Sequence, residues 1–226
     1  MTQHRLEVFD DPEAVHRRGA ELIAEAAKSA ISERGHCALA VSGGRDPWPM
    51  FSQLEEFELD WTEIEIFQVD ERVAPAGSEE RNLTHLVESL SIGAQGSIRP
   101  MPVTDDDLEA AADRYAASLP DDAIDLAHLG IGPDGHTASL VPNDPVLEVT
   151  DKRVAVTSGE YQGVRRMTLT YSEIDRVRRL LWVVIGEEKI DALKKLIDQD
   201  PSTPSGRVRP GGESLILADR AAAPDA

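Results

Sequence analysis

Apolar residues recur along this chain in two alternating rhythms. Over residues 12–34 the pairs Leu22/Ile23, Ala26/Ala27 and Ala30/Ile31 return at helical spacing. Asp10 or Asp11 is placed to cap that helix, Pro12 suits its first turn, and Gly35 ends it. "HCALAVSGG" then reads as a buried strand running into a glycine turn, and Pro47 opens a helix to about Leu54. "TEIEIFQVDER" alternates until it meets charged residues, the pattern of a strand. Helices are expected over about Asn82–Leu90 and Asp106–Leu119, and "DLAHLGIG" is the next strand. "KRVAVTSG" and "RRMTLTY" read as strands or extended segments, and "YSEIDRVRR" as a helix. "LLWVVIGEEKIDALKKLIDQ" repeats the succession of buried strand, glycine turn and amphipathic helix. "ESLILAD" is a last short strand, and Ala221–Ala226 reads as a frayed tail.

Strands that alternate with helices imply an α/β fold: a mostly parallel, twisted sheet with helices on both faces. No Ser/Gly linker or fixed-period repeat divides the 226 residues, so a single domain over 1–226 is expected. With 41% hydrophobic and 29% charged residues, the composition is that of a globular protein. The formal net charge of −19 excludes a broad nucleic-acid-binding face, and an anionic ligand would need a local cluster of Arg and Lys. One cysteine, Cys37, cannot form an intrachain disulfide, and its apolar setting marks it as core. No signal pattern opens the chain, and no run approaches the ~18 apolar residues of a membrane span. A cytoplasmic protein without membrane or nucleic-acid partners is the expectation.

In an open α/β sheet, ligands bind beyond the carboxyl ends of the strands. The polar punctuation of this chain falls there repeatedly: Ser42-Gly43-Gly44-Arg45, Asp70-Glu71-Arg72, Gly132 to His136, and Gly186 with Lys189 one turn on. The "SGGRDP" turn could hold a phosphate on backbone N–H groups with help from Arg45, or could simply need glycine to turn. "VDER" could serve a ligand or be a solvated ion-paired turn. In "GPDGHTAS", Asp134 and His136 flank Gly135, so a carboxylate can fix an imidazole tautomer beside the rim.

The other histidines carry less: His4 and His16 are expected to be exposed, His36 and His128 to pack, and His85 to lie on a helix. No H-E-x-x-H pattern or Cys/His cluster suggests zinc. Asp105-Asp106-Asp107 reads as a helix cap, and Asp46 as the cap of the helix opened by Pro47. Ser42 and Ser139 lack the G-x-S-x-G setting of a serine hydrolase.

The stretches "VSGGRDP", "VDERVAP…RNLTHL", "LGIGPDGHTASLVP", "MTLTYSEI", "VIGEEKIDALKKLI" and "PSGRVRPGGESLILAD" together resemble the 6-phosphogluconolactonase family, over about residues 37–219. The resemblance implies a Rossmann-like sheet of the sugar-phosphate isomerase/deaminase type. It implies hydrolysis of 6-phospho-glucono-1,5-lactone to 6-phosphogluconate in the oxidative pentose phosphate pathway, with no metal or organic cofactor. Carried over by position, His136 would be the base, Asp134 its neighbour, and Arg72 would face the substrate's charge. Ser42, Gly43 and Gly44 would form the sugar-phosphate loop, flanked by Asp70, Asn82 and Gly135, with Lys189 and Arg207 as late basic positions near the phosphate. The family's usual Ser-Thr after the glycines is here Arg45-Asp46. The implied partner is a small sugar-phosphate lactone, and the chain would be a monomer or small homo-oligomer. An amino-sugar-phosphate deaminase/isomerase is the nearest alternative. "TASLVP" after the His turn, where that branch would have "DGHIAFNEP"-like sequence, speaks against it. A non-catalytic sugar-phosphate sensor is the other.

Overall fold

The computed structural model describes residues 4–225. Its elements run β1 (Arg5–Phe9), α1 (Pro12–Arg34), β2 (Cys37–Val41), α2 (Trp48–Ser52), β3 (Ile64–Gln68), β4 (Asp70–Arg72), α3 (Asn82–Ser89), α4 (Ile92–Gln95) and β5 (Ile98–Arg99). They continue with α5 (Leu108–Ser118), β6 (Leu126–Leu129), β7 (Val154–Val156), β8 (Arg166–Leu169), α6 (Tyr171–Ile174), β9 (Arg179–Val184), α7 (Ile190–Ile197) and β10 (Glu213–Asp219).

Seven strands form a sheet in the order β1-β10-β9-β6-β2-β3-β5, and every neighbouring pair is parallel. Both faces are covered, which is why the strands read as nearly continuous apolar runs. The side chains still alternate: Leu181 and Val183 of β9 join a core with α1, α2 and α3, while Leu180, Trp182 and Val184 face α5 and α7. Helix α1 runs as its pattern predicts, with Asp11 accepting from the Ala14 amide at 2.8 Å and Gly35 closing it at φ 79°. Asp107 caps α5 through the Ala110 amide at 3.0 Å.

Several expectations need correction. "TEIEIFQVDER" is two strands, not one. The Val69 amide still donates to Val41 in the large sheet (2.9 Å), but its carbonyl accepts from Leu169 (2.8 Å). From there β4 pairs antiparallel with β8, and β8 with β7, in a separate three-stranded sheet. The two short edge strands β1 and β5 were not legible. "YSEIDRVRR" is helical only over Tyr171–Ile174, and Arg179 already starts β9. Asp46 makes no side-chain cap on α2. His4 and His16 are buried rather than exposed; His4 bonds Ser214 at 2.7 Å and meets Trp182 edge-on. The tail is not frayed where described: Ala222 and Ala223 are buried, and the Ala222 amide bonds Asp219 at 2.9 Å. Cys37 is buried, and desolvation together with the Asp125 charge pushes its thiol up to about 12.

Candidate active site

The strand order places a cleft by topology. From β2 the chain moves outward through β3 and β5, then returns to the other side of β2 with β6 and continues through β9 and β10. The direction of progression reverses between β2 and β6, and such a switch point opens a crevice at the carboxyl ends of the strands. The turns after β2 and β6 line a cleft of about 460 Å³ there, a size suited to a small metabolite.

After β2, Gly43 packs so close to Asn82 that a Cβ would lie 2.1 Å from the amide oxygen, and Gly44 has φ 131°. A side chain at either position would displace the turn from the cleft. Asn82 in turn donates to the Asp70 carbonyl at 3.1 Å. The two acids of "DER" divide their work. Glu71 is fully buried and accepts from the Asn82 and Leu83 amides at 2.8 and 2.9 Å, so it caps α3 and is structural. Asp70 faces the cleft, with Ser42 Oγ 3.3 Å from one carboxylate oxygen and Ser139 Oγ 2.6 Å from the other. Arg72 lines the cleft while its guanidinium donates to the Glu80 carbonyl at 2.7 Å.

After β6, the Gly132 amide donates to the His136 carbonyl at 2.8 Å and the Gly135 amide to the Gly132 carbonyl at 2.9 Å. Gly135 takes φ 81° and lies against Thr203. The His136 ring lies over Gly132, where a Cβ would come within 2.0 Å of it. Its Nδ1 is 2.5 Å from Asp134 Oδ1, and Asp134 Oδ1 also accepts the His136 amide at 3.2 Å. Burial pushes the Asp134 carboxyl up, but the bonds and charge of His136, with the Tyr161 hydroxyl, outweigh it and hold it below its ordinary value. His136 lines the cleft with Nδ1 engaged, which leaves Nε2 as the nitrogen free to accept a proton.

Lys189 also lines the cleft and makes no ion pair among the described residues. Arg45 is at the mouth, 84% exposed, paired with Glu188 at 3.3 Å. Arg207 is not in the cleft. It pairs with Glu148 at 2.9 Å, lies over the Tyr171 ring and borders a separate depression with Thr203 and Pro204, because the loop that carries it folds back over the 142–148 turn. The expectation that Arg207 stands with the other cations of the cleft is therefore not met. His85 is outside the cleft, bonded to the Glu79 carbonyl at 2.9 Å. His128 lines the cleft, but it is buried edge-on to Phe51, and desolvation pushes it down to about 3, so it is a neutral packing residue.

Three side chains escaped the sequence reading. Arg166 is buried on the cleft wall with Nε unpartnered; desolvation depresses it, and Asp70 counters. Gln162 lines the cleft beside it. Tyr161 reaches Asp134 Oδ2 at 3.0 Å. The signal was "YQGV", whose Gln162 and Gly163 take φ 54° and 84° in a two-residue hairpin turn. Four cations, Arg45, Arg72, Arg166 and Lys189, therefore stand against Asp46, Asp70 and Glu188 in a chain of net charge −19. Among the described residues no group of three His, Cys, Asp or Glu could hold a metal ion, and no helix is long and apolar enough to cross a membrane.

Comparison with known proteins extends over nearly the whole chain. A family model described as glucosamine-6-phosphate isomerases/6-phosphogluconolactonase matches residues 10–217. The chain is 33% identical over 233 residues to the 6-phosphogluconolactonase of Nostoc sp., covering 96% of each. It is 34% identical over 209 residues to that of Synechocystis sp., covering 85% of this chain and 86% of the relative. The crystal structure of a 6-phosphogluconolactonase from Shewanella baltica superposes with TM-score 0.87 at 26% identity, covering 96% of this chain and 98% of the other. A monomeric glucosamine-6-phosphate deaminase superposes with TM-score 0.83 at 20% identity over 97% and 99%, and so shares the fold.

Proposed function

We propose that this chain, which belongs to the family of glucosamine-6-phosphate isomerases and 6-phosphogluconolactonases, hydrolyses 6-phospho-glucono-1,5-lactone to 6-phosphogluconate, the lactone-opening step of the oxidative pentose phosphate pathway. The observation that carries the reading is the His136–Asp134 pair at 2.5 Å on the wall of a cation-lined cleft. Similarity to proteins named 6-phosphogluconolactonase over 96% of the chain supports the substrate.

The phosphate sits against the Ser42–Gly44 turn, with Lys189 and Arg72 supplying charge. Anchoring that remote group places the lactone carbonyl beside His136. Asp134 holds the proton on Nδ1, so Nε2 takes a proton from water as the hydroxide attacks the carbonyl carbon. Negative charge develops on the carbonyl oxygen, and the guanidinium of Arg166, which lines the cleft, is available to meet it. The tetrahedral intermediate collapses, the ring C–O bond breaks, and the imidazolium returns its proton to the ring oxygen. Asp70, held by Ser42 and Ser139, orients sugar hydroxyls and keeps the Arg166 charge in place.

The test is to supply freshly generated 6-phosphogluconolactone and follow acid release in weak buffer, with spontaneous opening subtracted. Enzymatic release that His136→Ala lowers by about 100- to 10,000-fold, the usual worth of a positioned base, is the expected result. Release at the spontaneous rate, or deamination of glucosamine 6-phosphate instead, overturns the reading.

A further inference from the structure

We propose that Tyr161 is a positioning residue for the His136–Asp134 pair, its hydroxyl locking the carboxylate in the orientation that keeps the proton on Nδ1. The proposal rests on the lactonase reading for its place in the reaction, but not for its geometry.

The hydrogen-bond inventory leaves one consistent arrangement. The Tyr161 oxygen is 3.0 Å from Asp134 Oδ2 and 3.2 Å from His136 Nδ1, and Asp134 Oδ1 is 2.5 Å from the same Nδ1. If the hydroxyl donated to Nδ1, that nitrogen would present a lone pair to Oδ1 at 2.5 Å, and two acceptors would face each other with no proton between them. The proton therefore lies on Nδ1 and is donated to Oδ1, and the Tyr161 hydroxyl donates to Oδ2. Each carboxylate oxygen then has its own donor. Without Tyr161 the Asp134 side chain, 39% exposed, keeps only donors on Oδ1 and can turn toward water.

Tyr161 is itself held firmly. It stands beside the Gln162-Gly163 hairpin turn, and its amide donates to the Val164 carbonyl at 3.0 Å. Buried Arg166 donates to the Tyr161 carbonyl at 3.2 Å and lies over its ring at 5.1 Å. The ring meets the imidazole edge-on, 5.2 Å between centroids. Farther back, Asp144 accepts the Gly159 amide at 2.9 Å and ties the hairpin to the turn after the His136 segment. Burial and the Asp134 carboxylate push the phenol up, so it remains a protonated donor at neutral pH. One hairpin thus links a cleft-wall arginine to the second oxygen of Asp134.

Tyr161→Phe keeps the ring and removes only the donor. The expected result is a fall in kcat of about 10-fold, as the loss of one hydrogen bond to a charged acceptor implies, with KM and 6-phosphogluconate affinity within about twofold. In long-range 15N–1H spectra of the folded variant, His136 should show a growing share of the Nε2–H tautomer. An unchanged ring spectrum with kcat within twofold overturns the proposal. So does a raised KM at normal kcat, which makes Tyr161 a substrate contact. If the wild type fails to open the lactone while Tyr161→Phe still shifts the tautomer, the positioning role stands and the reaction assigned to the cleft falls. If the wild type does not open the lactone and Tyr161→Phe does not shift the tautomer, both fall.

Discussion

Gly132→Ala tests whether the turn after β6 exists to seat the imidazole. An added Cβ would lie 2.0 Å from His136 Cε1 and Nδ1 and 2.7 Å from Asp134 Oδ1, where ordinary contact needs at least 3.4 Å. The ring must retreat by the difference, about 1.4 Å, or swing out of the cleft; an ångström of misplacement at the reacting centre can cost about 100-fold. Either movement breaks the 2.5 Å bond to Asp134. No positive φ is recorded at Gly132, so an L-residue adds no such backbone strain. His136 is partly exposed, so the displaced ring has solvent to move into. The cost should therefore appear in kcat and hardly in stability: a loss of about 100-fold or more, a melting temperature within a few degrees of wild type, and near-normal binding of 6-phosphogluconate by calorimetry. Initial rates on fresh lactone, corrected for spontaneous opening, give the first quantity and circular dichroism the second. A folded Gly132→Ala protein with kcat within threefold of wild type would show that the position of the ring over this glycine is irrelevant to turnover.

Two further outcomes follow from where the cations and the thiol lie. Lys189→Glu should raise KM and weaken 6-phosphogluconate binding by at least about 10-fold, whereas Arg207→Ala, outside the cleft, should leave binding within about twofold; calorimetry on both settles it, and equal losses would put the phosphate elsewhere. Cys37, buried with its thiol pushed up to about 12, should resist thiol reagents at pH 8 and react at once in denaturant; rapid labelling of the native protein would contradict its burial.

The long periodic elements were legible because one physical force wrote each of them. Helix α1 keeps its apolar stripe, its Asp11 cap and its Gly35 stop all in consecutive sequence. Strands β2, β6, β9 and β10 are buried on both faces and so spell out apolar runs. Edge strand β1, with the pattern Arg5-Leu6-Glu7-Val8-Phe9, lacks that burial, and two-residue β5 is too short for any period. The break at Val69 was invisible because the chain runs on as strand on either side of it; only the partner strand changes. In the cleft, residues at strand ends could be found from topology, since a turn after each strand reaches the same rim. Arg207 could not be placed that way, because its short helical turn and loop follow no strand directly. Tyr161 and Arg166 come from the small antiparallel sheet, whose packing onto the rim has no sequence rule.

The 199–212 loop reaches the candidate site from behind, and its anchor carries a pH dependence with a definite sign. The Ser205 amide donates to the Gly135 carbonyl at 2.9 Å, and Thr203 packs on Gly135, so this loop braces the turn that carries His136. The loop is pinned at its far end by Asp175, which accepts the Arg209 amide on its carboxylate and the Gly211 amide on its carbonyl, both at 2.7 Å. Burial pushes the Asp175 carboxyl from its ordinary 3.8 up to about 6, against the opposing pull of the Arg209 amide and charge. The folded pKa is thus above the unfolded one. Between about pH 4 and pH 6 the native state holds a proton that the unfolded chain has lost, so this group's contribution to stability falls as pH rises through that window. Asp175→Asn keeps an oxygen for the Arg209 amide and removes the ionisation. In urea titrations at intervals from pH 3.5 to 7, the variant should gain stability relative to wild type as pH rises from about 4 to about 6, then stay level. Taking the difference between the two proteins cancels the titration of the many other carboxylates. A difference that is flat across the whole range would mean that Asp175 titrates as an ordinary exposed carboxylate, and that the brace behind His136 does not depend on its protonation.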